Sequence, residues 1–134
     1  SMLIIKEAVD KQTAQSFLDS LGVRYCLADD IVMVCEEQGS VSGVSSLCLR
    51  EGKVYLNLIA AAEKTSDMNF LLGLAKALMN LADLRGIKTL CGSNPELAPI
   101  YRALRFQETD GEFCVSLEGY FTAGHEHKQE VTNG

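Results

Sequence analysis

Positive charge is scarce in this chain. Its 12 lysine and arginine residues stand against 18 aspartate and glutamate residues, which gives a net charge of -6, and no run of basic residues occurs. Proteins that bind nucleic acid rely on clustered lysine and arginine to neutralise phosphates. We therefore expect no nucleic-acid partner.

Long hydrophobic runs are also missing. No apolar stretch reaches the roughly 20 residues that a membrane-spanning helix needs. The short apolar run near the start of the chain, Leu3 to Ile5, is too short for the core of a signal peptide. We expect no membrane association and a cytoplasmic location.

Metal-binding and disulfide patterns are absent from the spacing. The five cysteines (Cys26, Cys35, Cys48, Cys91 and Cys114) are odd in number, widely scattered and form no CxxC pair. This pattern predicts neither a disulfide framework nor a zinc site. The two histidines, His125 and His127, stand in a polar tail where a metal would lack a third ordered ligand. We expect no metal and a reduced protein.

The chain has no repeat, no low-complexity tract and no internal linker. A length of 134 residues with 47% hydrophobic and 22% charged residues is typical of one globular domain with a real core. We expect that domain to span residues 2–121 and residues 122–134 to form a polar, disordered C-terminal tail. Ser1, which precedes Met2, is interpreted as the remnant of an expression tag.

Hydrophobic periodicity predicts a sheet with helices, antiparallel at first and with crossover connections later. Strands are predicted over 2–6, 31–36, 41–49, 53–60 and 88–92, a hairpin over 107–117, and helices over 10–21, 66–85 and 99–106. The class is α+β or mixed α/β. In the long helix Ser66 is the predicted cap. The helix is apolar on most sides, so we expect a sheet, with or without a second subunit, to cover it.

The segment from the long helix to Phe106 carries the most specific pattern. Asn94 stands seven residues before Tyr101, which opens the sequence Tyr-Arg-Ala-Leu-Arg-Phe and ends at Phe106. With the preceding helix, Gly86 and a strand, this order resembles the acyl-CoA half of the GNAT superfamily of N-acetyltransferases. The resemblance implies a mostly antiparallel central sheet of about six to seven strands with helices on both faces.

The resemblance also implies a function, the transfer of an acetyl group from acetyl-CoA to an amine of a small molecule. Tyr101 corresponds to the tyrosine that protonates the departing thiolate, and Asn94 to the residue that binds the pantetheine arm. The implied cofactor-binding residues are Leu58, Ile59, Ala60, Met68, Asn69, Leu71, Gly73 and Asn94.

The glycine turn of the family is altered in this chain. Where the family has Gln or Arg, then Gly, then Gly or Ala, this sequence has Met68, Leu71 and Gly73. Asp67 and Glu63 add negative charge beside the place where a pyrophosphate would bind. Two alternatives therefore stand beside the enzyme: a degenerate GNAT-like binding or regulatory domain that does not use CoA, and an interaction domain that forms a homodimer.

Each candidate residue also has a plain structural interpretation. Tyr101 shares an apolar face with its helix neighbours and fits a core tyrosine. Asn94 fits a turn before Pro95, and the run Leu58 to Ala60 fits a buried strand. Asn57, the one polar residue of that strand, fits a neighbouring strand edge, a bulge or a contact to the acceptor substrate.

The sequence does not single out a general base for the amine. Glu36, Glu37 and Glu63 follow strands and are candidates, although carboxylates at strand ends are usually solvated. Cys91 either faces the acyl site or is buried and inert.

Overall fold

A seven-stranded sheet organises the chain in the computed structural model, which describes residues 2–122. The strands are β1 (Leu3–Glu7), β2 (Ile31–Glu37), β3 (Ser40–Arg50), β4 (Lys53–Ala61), β5 (Thr89–Gly92), β6 (Gln107–Thr109) and β7 (Glu112–Ser116), and their order in the sheet is β1-β2-β3-β4-β5-β7-β6. Only β4 and β5 run parallel; all other neighbours are antiparallel. The predicted α+β class with a mostly antiparallel sheet is confirmed.

Helices cover both faces of this sheet. The helices are α1 (Lys11–Ser20), α2 (Met68–Leu84) and α3 (Ala98–Ala103), with short 3-10 turns over Glu63–Thr65 and Pro95–Leu97. One core cluster joins α2 and α3 to Leu47 and Leu56. The other joins α1 to Val44 and Leu58. Because strand side chains alternate between faces, β3 and β4 contribute to both cores.

Tight hairpins build the first half of the sheet. The turn between β3 and β4 places Glu51 at φ 51° and Gly52 at φ 78°, and two successive positive φ values are typical of the turn that matches strand twist. The turn at Asp110–Gly111 has the same form. All the hairpins predicted from the sequence are present.

Helix α2 is the central packing element. Its buried residues are Leu74, Ala75, Leu78, Met79 and Ala82, while Asn69, Lys76 and Asn80 are exposed. The polar stripe predicted from the sequence therefore faces outward, and the sheet and α3 of the same chain cover the apolar side. No helix within residues 2–122 is long and apolar enough to cross a membrane.

Two helix boundaries differ from the prediction. The N-cap of α2 is Asp67 and not Ser66, whose hydroxyl donates to the carbonyl of Glu63 at 2.9 Å. Helix α3 begins at Ala98 and ends at Ala103, because Arg105 adopts a left-handed conformation with φ 67° that stops the helix before Phe106. The tail prediction, with His125 and His127, concerns residues that lie almost entirely outside those described.

Candidate functional site

A bulge in β4 opens the sheet. Leu56 pairs with Leu47 and Leu58 with Ser46, so Asn57 is an extra residue without a partner in β3. A bulge bends its strand, and β4 shares only one paired position with β5, Tyr55 with Cys91. Within residues 2–122, no strand pairs with the β5-facing edge of 58–60. Asn57 therefore forms a bulge, which is one of the interpretations that the sequence allows for this residue.

A cleft of about 440 Å³ fills the space where the two strands separate. It is lined by Val23, Arg24, Tyr25, Asn57, Leu58, Ile59, Ala60, Leu71, Asn94, Glu96, Leu97 and Ile100. Five of the predicted cofactor-binding residues meet there: Leu58, Ile59, Ala60, Leu71 and Asn94. Met68, Asn69, Gly73 and Tyr101 do not line it.

Two asparagines tie the separating strands together. The Asn94 Nδ2 donates to the carbonyl of Asn57 at 3.0 Å, and its Oδ1 accepts the N–H of Glu96 at 3.0 Å. The Asn57 Oδ1 accepts the N–H of Ser93 at 2.8 Å. Asn94 therefore caps the 3-10 turn, as one interpretation of the sequence held, and its side chain also forms part of the cleft wall.

Tyr101 lies beneath the cleft. Its ring packs 5.1 Å from that of Phe106 and 5.0 Å from that of Phe113. Its hydroxyl donates to the carbonyl of Leu56 at 2.7 Å and accepts the N–H of Asn94 at 3.3 Å. Burial raises the pKa of Tyr101 to about 12, so the phenol holds its proton at neutral pH. The ring is buried in the core, and the hydroxyl lies where β4 separates from β5.

The Asp67 carboxylate occupies the N-terminus of α2. The Asp67 Oδ1 accepts the N–H of Phe70 at 2.9 Å, which is the kind of donor that binds a phosphate at a helix N-terminus. Gly73 stands further inside the helix, and a Cβ there would meet nothing within 4 Å. Packing against the described part of the chain therefore does not require a glycine at this position.

The two ends of a CoA molecule fit this chain unequally. The open strand edge of 58–60, with Asn94 opposite, has the donors and acceptors that the amides of a pantetheine arm require. At the start of α2, exposed Asp67 and Glu63 place negative charge where a diphosphate would have to lie, and Lys64 is the only nearby cation of the same turn. The open strand edge can therefore pair with an extended chain, whereas the carboxylates at the start of α2 oppose a diphosphate.

The predicted bases lie away from the cleft. Glu36 forms an ion pair with Lys6 at 3.3 Å on β1 and β2, and neither Glu37 nor Glu63 is among the lining residues. The carboxylate that does line the cleft is Glu96, with Arg24 also on the wall. Neither residue was predicted from the sequence. The run between α1 and β2 that carries Arg24 has no periodicity that would have placed it.

Cys91 lies outside the cleft. Its sulfur is 3.0 Å from that of Cys114 on the neighbouring strand β7, and it is buried. The thiol does not line the cleft walls described above.

No family model matches the sequence, and no curated protein matches it. Solved structures match the fold. An acetyltransferase of the GNAT family from Staphylococcus aureus Mu50 superposes with a TM-score of 0.64 at 8% identity, covering 87% of this chain and 99% of that one.

Two further matches are enzymes with named activities. The ribosomal-protein-S18-alanine N-acetyltransferase of Escherichia coli gives a TM-score of 0.64 at 14% identity, over 87% of this chain and 94% of that one. The N-acetylglutamate synthase of Neisseria gonorrhoeae, solved with coenzyme A and N-acetyl-glutamate, gives 0.69 at 14% identity, over 87% of this chain and 35% of that one. The chain has the GNAT fold, as the resemblance predicted.

Proposed function

We propose that the protein is an N-acetyltransferase that takes an acetyl group from acetyl-CoA and transfers it to an amine of a small molecule. The observation that carries the proposal is the cleft at the Asn57 bulge, where β4 presents an unpaired edge over 58–60. The shared GNAT fold supports it.

The cleft binds the donor through its arm. An extended chain with amide groups pairs with an open strand edge as an added strand does, and the edge of 58–60 offers its backbone for this. Asn94, already fixed by its bonds to Asn57 and Glu96, orients the opposite wall. The thioester of the donor supplies the activated acyl group.

Glu96 is the proposed base for the acceptor. It is the acidic residue of the cleft wall, and an amine must lose its proton before it attacks a carbonyl. Its backbone is held by the Asn94 side chain, which fixes its place on the 3-10 turn. Arg24 also lines the cleft and is a second charged group toward the acceptor.

Tyr101 is the proposed proton donor to the departing thiolate. Its raised pKa keeps the phenol protonated at neutral pH, as a general acid requires. The hydroxyl proton is directed to the Leu56 carbonyl, and the buried phenol does not line the cleft. Donation therefore requires the O–H bond to rotate away from that oxygen and the hydroxyl to become accessible to the thiolate.

A second candidate function rests on the α2 N-terminus. Because Asp67 occupies the donor of Phe70, the fold also suits a binding or regulatory domain that does not use CoA. The two functions differ in one measurable property, the binding of acetyl-CoA.

Calorimetry with acetyl-CoA and with CoA tests the proposal on the full chain. Binding should also raise the melting temperature by mass action. If neither ligand binds at millimolar concentration, the acetyltransferase proposal fails and the second candidate stands.

Turnover tests the assignment of the base. In the presence of acetyl-CoA and a panel of amines, Glu96→Gln should lower kcat by about 100-fold or more, while Glu118→Gln, an exposed carboxylate that does not line the cleft, should leave it unchanged. Equal rates in both variants would remove Glu96 from the mechanism.

A further inference from the structure

A second cluster of ligand-type side chains lies between β5 and β7, apart from the cleft. Cys91 and Cys114 are directly opposed in the antiparallel register, and their sulfurs are 3.0 Å apart. Glu112 stands two residues before Cys114 and therefore on the same face of β7. One sulfur or carboxylate oxygen from each of the three residues lies within 4.8 Å of the others.

The Glu112 carboxylate is held by hydrogen bonds from residues outside the cluster. The Tyr55 hydroxyl donates to the Glu112 Oε2 at 2.8 Å, and the Lys53 Nζ lies 3.1 Å from Oε1. Metal-ligating carboxylates in proteins are oriented by such outer hydrogen bonds. Glu112 is thus fixed toward the thiols before any ligand arrives.

We propose that Cys91, Cys114 and Glu112 bind a zinc ion. Cysteine thiolate and carboxylate oxygen are both ligand types that Zn²⁺ binds in tetrahedral sites, and catalytic zinc sites have three protein ligands and an open fourth position. A cavity of about 300 Å³, lined in part by Lys53, Val54 and Cys91, leaves room for a water as the fourth ligand. Two thiolates and the carboxylate carry three negative charges, which Zn²⁺ and the ammonium of Lys53 balance.

Binding requires a small and balanced change. Each thiol gives its proton to solvent as its sulfur–zinc bond forms, and no oxidation occurs. Zinc–sulfur bonds of about 2.3 Å in a tetrahedron place the two sulfurs about 3.8 Å apart, so the thiols must separate from their present contact by rotation of the side chains. The metal would tie β5 to β7 beside the one position where β5 pairs with β4.

The sequence alone predicted no metal, because its cysteines form no local pair. Cys91 and Cys114 are separated by 23 positions, and only the strand register brings them together. The proposal therefore departs from the sequence-based expectation.

Zinc titration of the full chain against a chromophoric chelator, in a phosphine reductant, tests the site. We expect one zinc per chain. Cys91→Ser and Cys114→Ser should each weaken binding by more than about 100-fold, since loss of even an outer-shell partner costs 10- to 100-fold. Cys26→Ser, an exposed cysteine distant in the fold, should leave the affinity unchanged.

A second measurement uses the unaltered chain, so its result does not depend on whether the cysteine variants fold. Co²⁺ added to the unaltered chain should produce the near-ultraviolet sulfur-to-metal charge-transfer absorption of thiolate ligands. The double variant His125→Ala, His127→Ala should keep it. No zinc binding, binding that survives Cys91→Ser, or Co²⁺ binding without the thiolate band would each overturn the proposal.

Discussion

At the scale of single residues, Gly92 packs so closely against the Tyr101 ring, at the base of the cleft, that no side chain fits between them. A Cβ on Gly92 would overlap the Tyr101 ring and lie 2.6 Å from its hydroxyl oxygen. Gly92→Ala must therefore move either β5 or the tyrosine. Gly73 is the opposite case, since a Cβ there meets nothing.

We expect Gly92→Ala to lower the free energy of unfolding by about 1–3 kcal/mol, the usual cost of overpacking. Gly73→Ala should raise it by about 0.5–1 kcal/mol, because alanine is the better helix residue. Urea unfolding of the two variants measures both. A neutral Gly92→Ala would mean that Tyr101 does not fill this space.

Tyr101 also makes stability depend on alkaline pH. Burial raises its pKa from 10.0 to about 12, so the folded state keeps a proton that the unfolded state releases. This contribution is fully present below the unfolded pKa and is lost as pH rises through the folded pKa.

Tyr101→Phe should cost about 1–3 kcal/mol at neutral pH, because the Leu56 carbonyl loses its buried donor. Between about pH 9 and about pH 11 the gap between wild type and variant should narrow, since only the wild type loses the tyrosine contribution. Urea midpoints at both pH values measure the gap. A constant gap would contradict the raised pKa.

At the scale of elements, the N-terminus of α2 decides how a CoA diphosphate is received. Asp67→Asn keeps an acceptor for the Phe70 N–H, as asparagine caps helices about as well as aspartate, and removes one negative charge. It should tighten CoA binding by roughly two- to fivefold, matching about 0.3–1 kcal/mol for a charge at a helix end.

Pantetheine, which lacks the diphosphate, should bind the Asp67→Asn variant and wild type equally. Asp10→Asn is the matched control, because Asp10 caps α1 by accepting the N–H of Gln12 at 2.9 Å. Calorimetry with both ligands measures the difference. If CoA binds wild type far more tightly than pantetheine does, Asp67 does not repel the diphosphate.

The elements themselves were largely readable from the sequence. Alternation marked the strands, glycine turns marked the hairpins, and helical spacing marked α2, because these signals are local. The α2 cap was misplaced by one residue, since Ser66 and Asp67 are both good caps and only the structure chooses between them.

The site was less readable, because long-range pairing creates it. The bulge at Asn57 arises from the register of β4 against β3, and Glu96 and Arg24 reach one cleft from distant segments. The Cys91–Cys114 contact likewise follows from the pairing of β5 with β7. Asn94 and Tyr101 were predicted as site residues through the resemblance to the GNAT pattern, whose seven-residue spacing is a local signal.

At the scale of the whole molecule, the sheet consists of two parts that are joined weakly. Residues 3–61 form one and residues 89–116 the other, and a single paired position, Tyr55 with Cys91, joins their backbones. Side-chain hydrogen bonds also cross between the two, among them those of Asn57, Asn94 and Tyr101 and those of Lys53 and Tyr55 to Glu112.

A pantetheine arm bound in that gap would hold the two parts of the sheet together. Backbone amides of 58–60 that face the gap have no strand acceptor in the described chain and should exchange with deuterated solvent quickly, while those facing β3 exchange slowly. Ligand should slow the first group and leave the second unchanged. Hydrogen exchange would then report occupancy of the cleft residue by residue, independently of turnover.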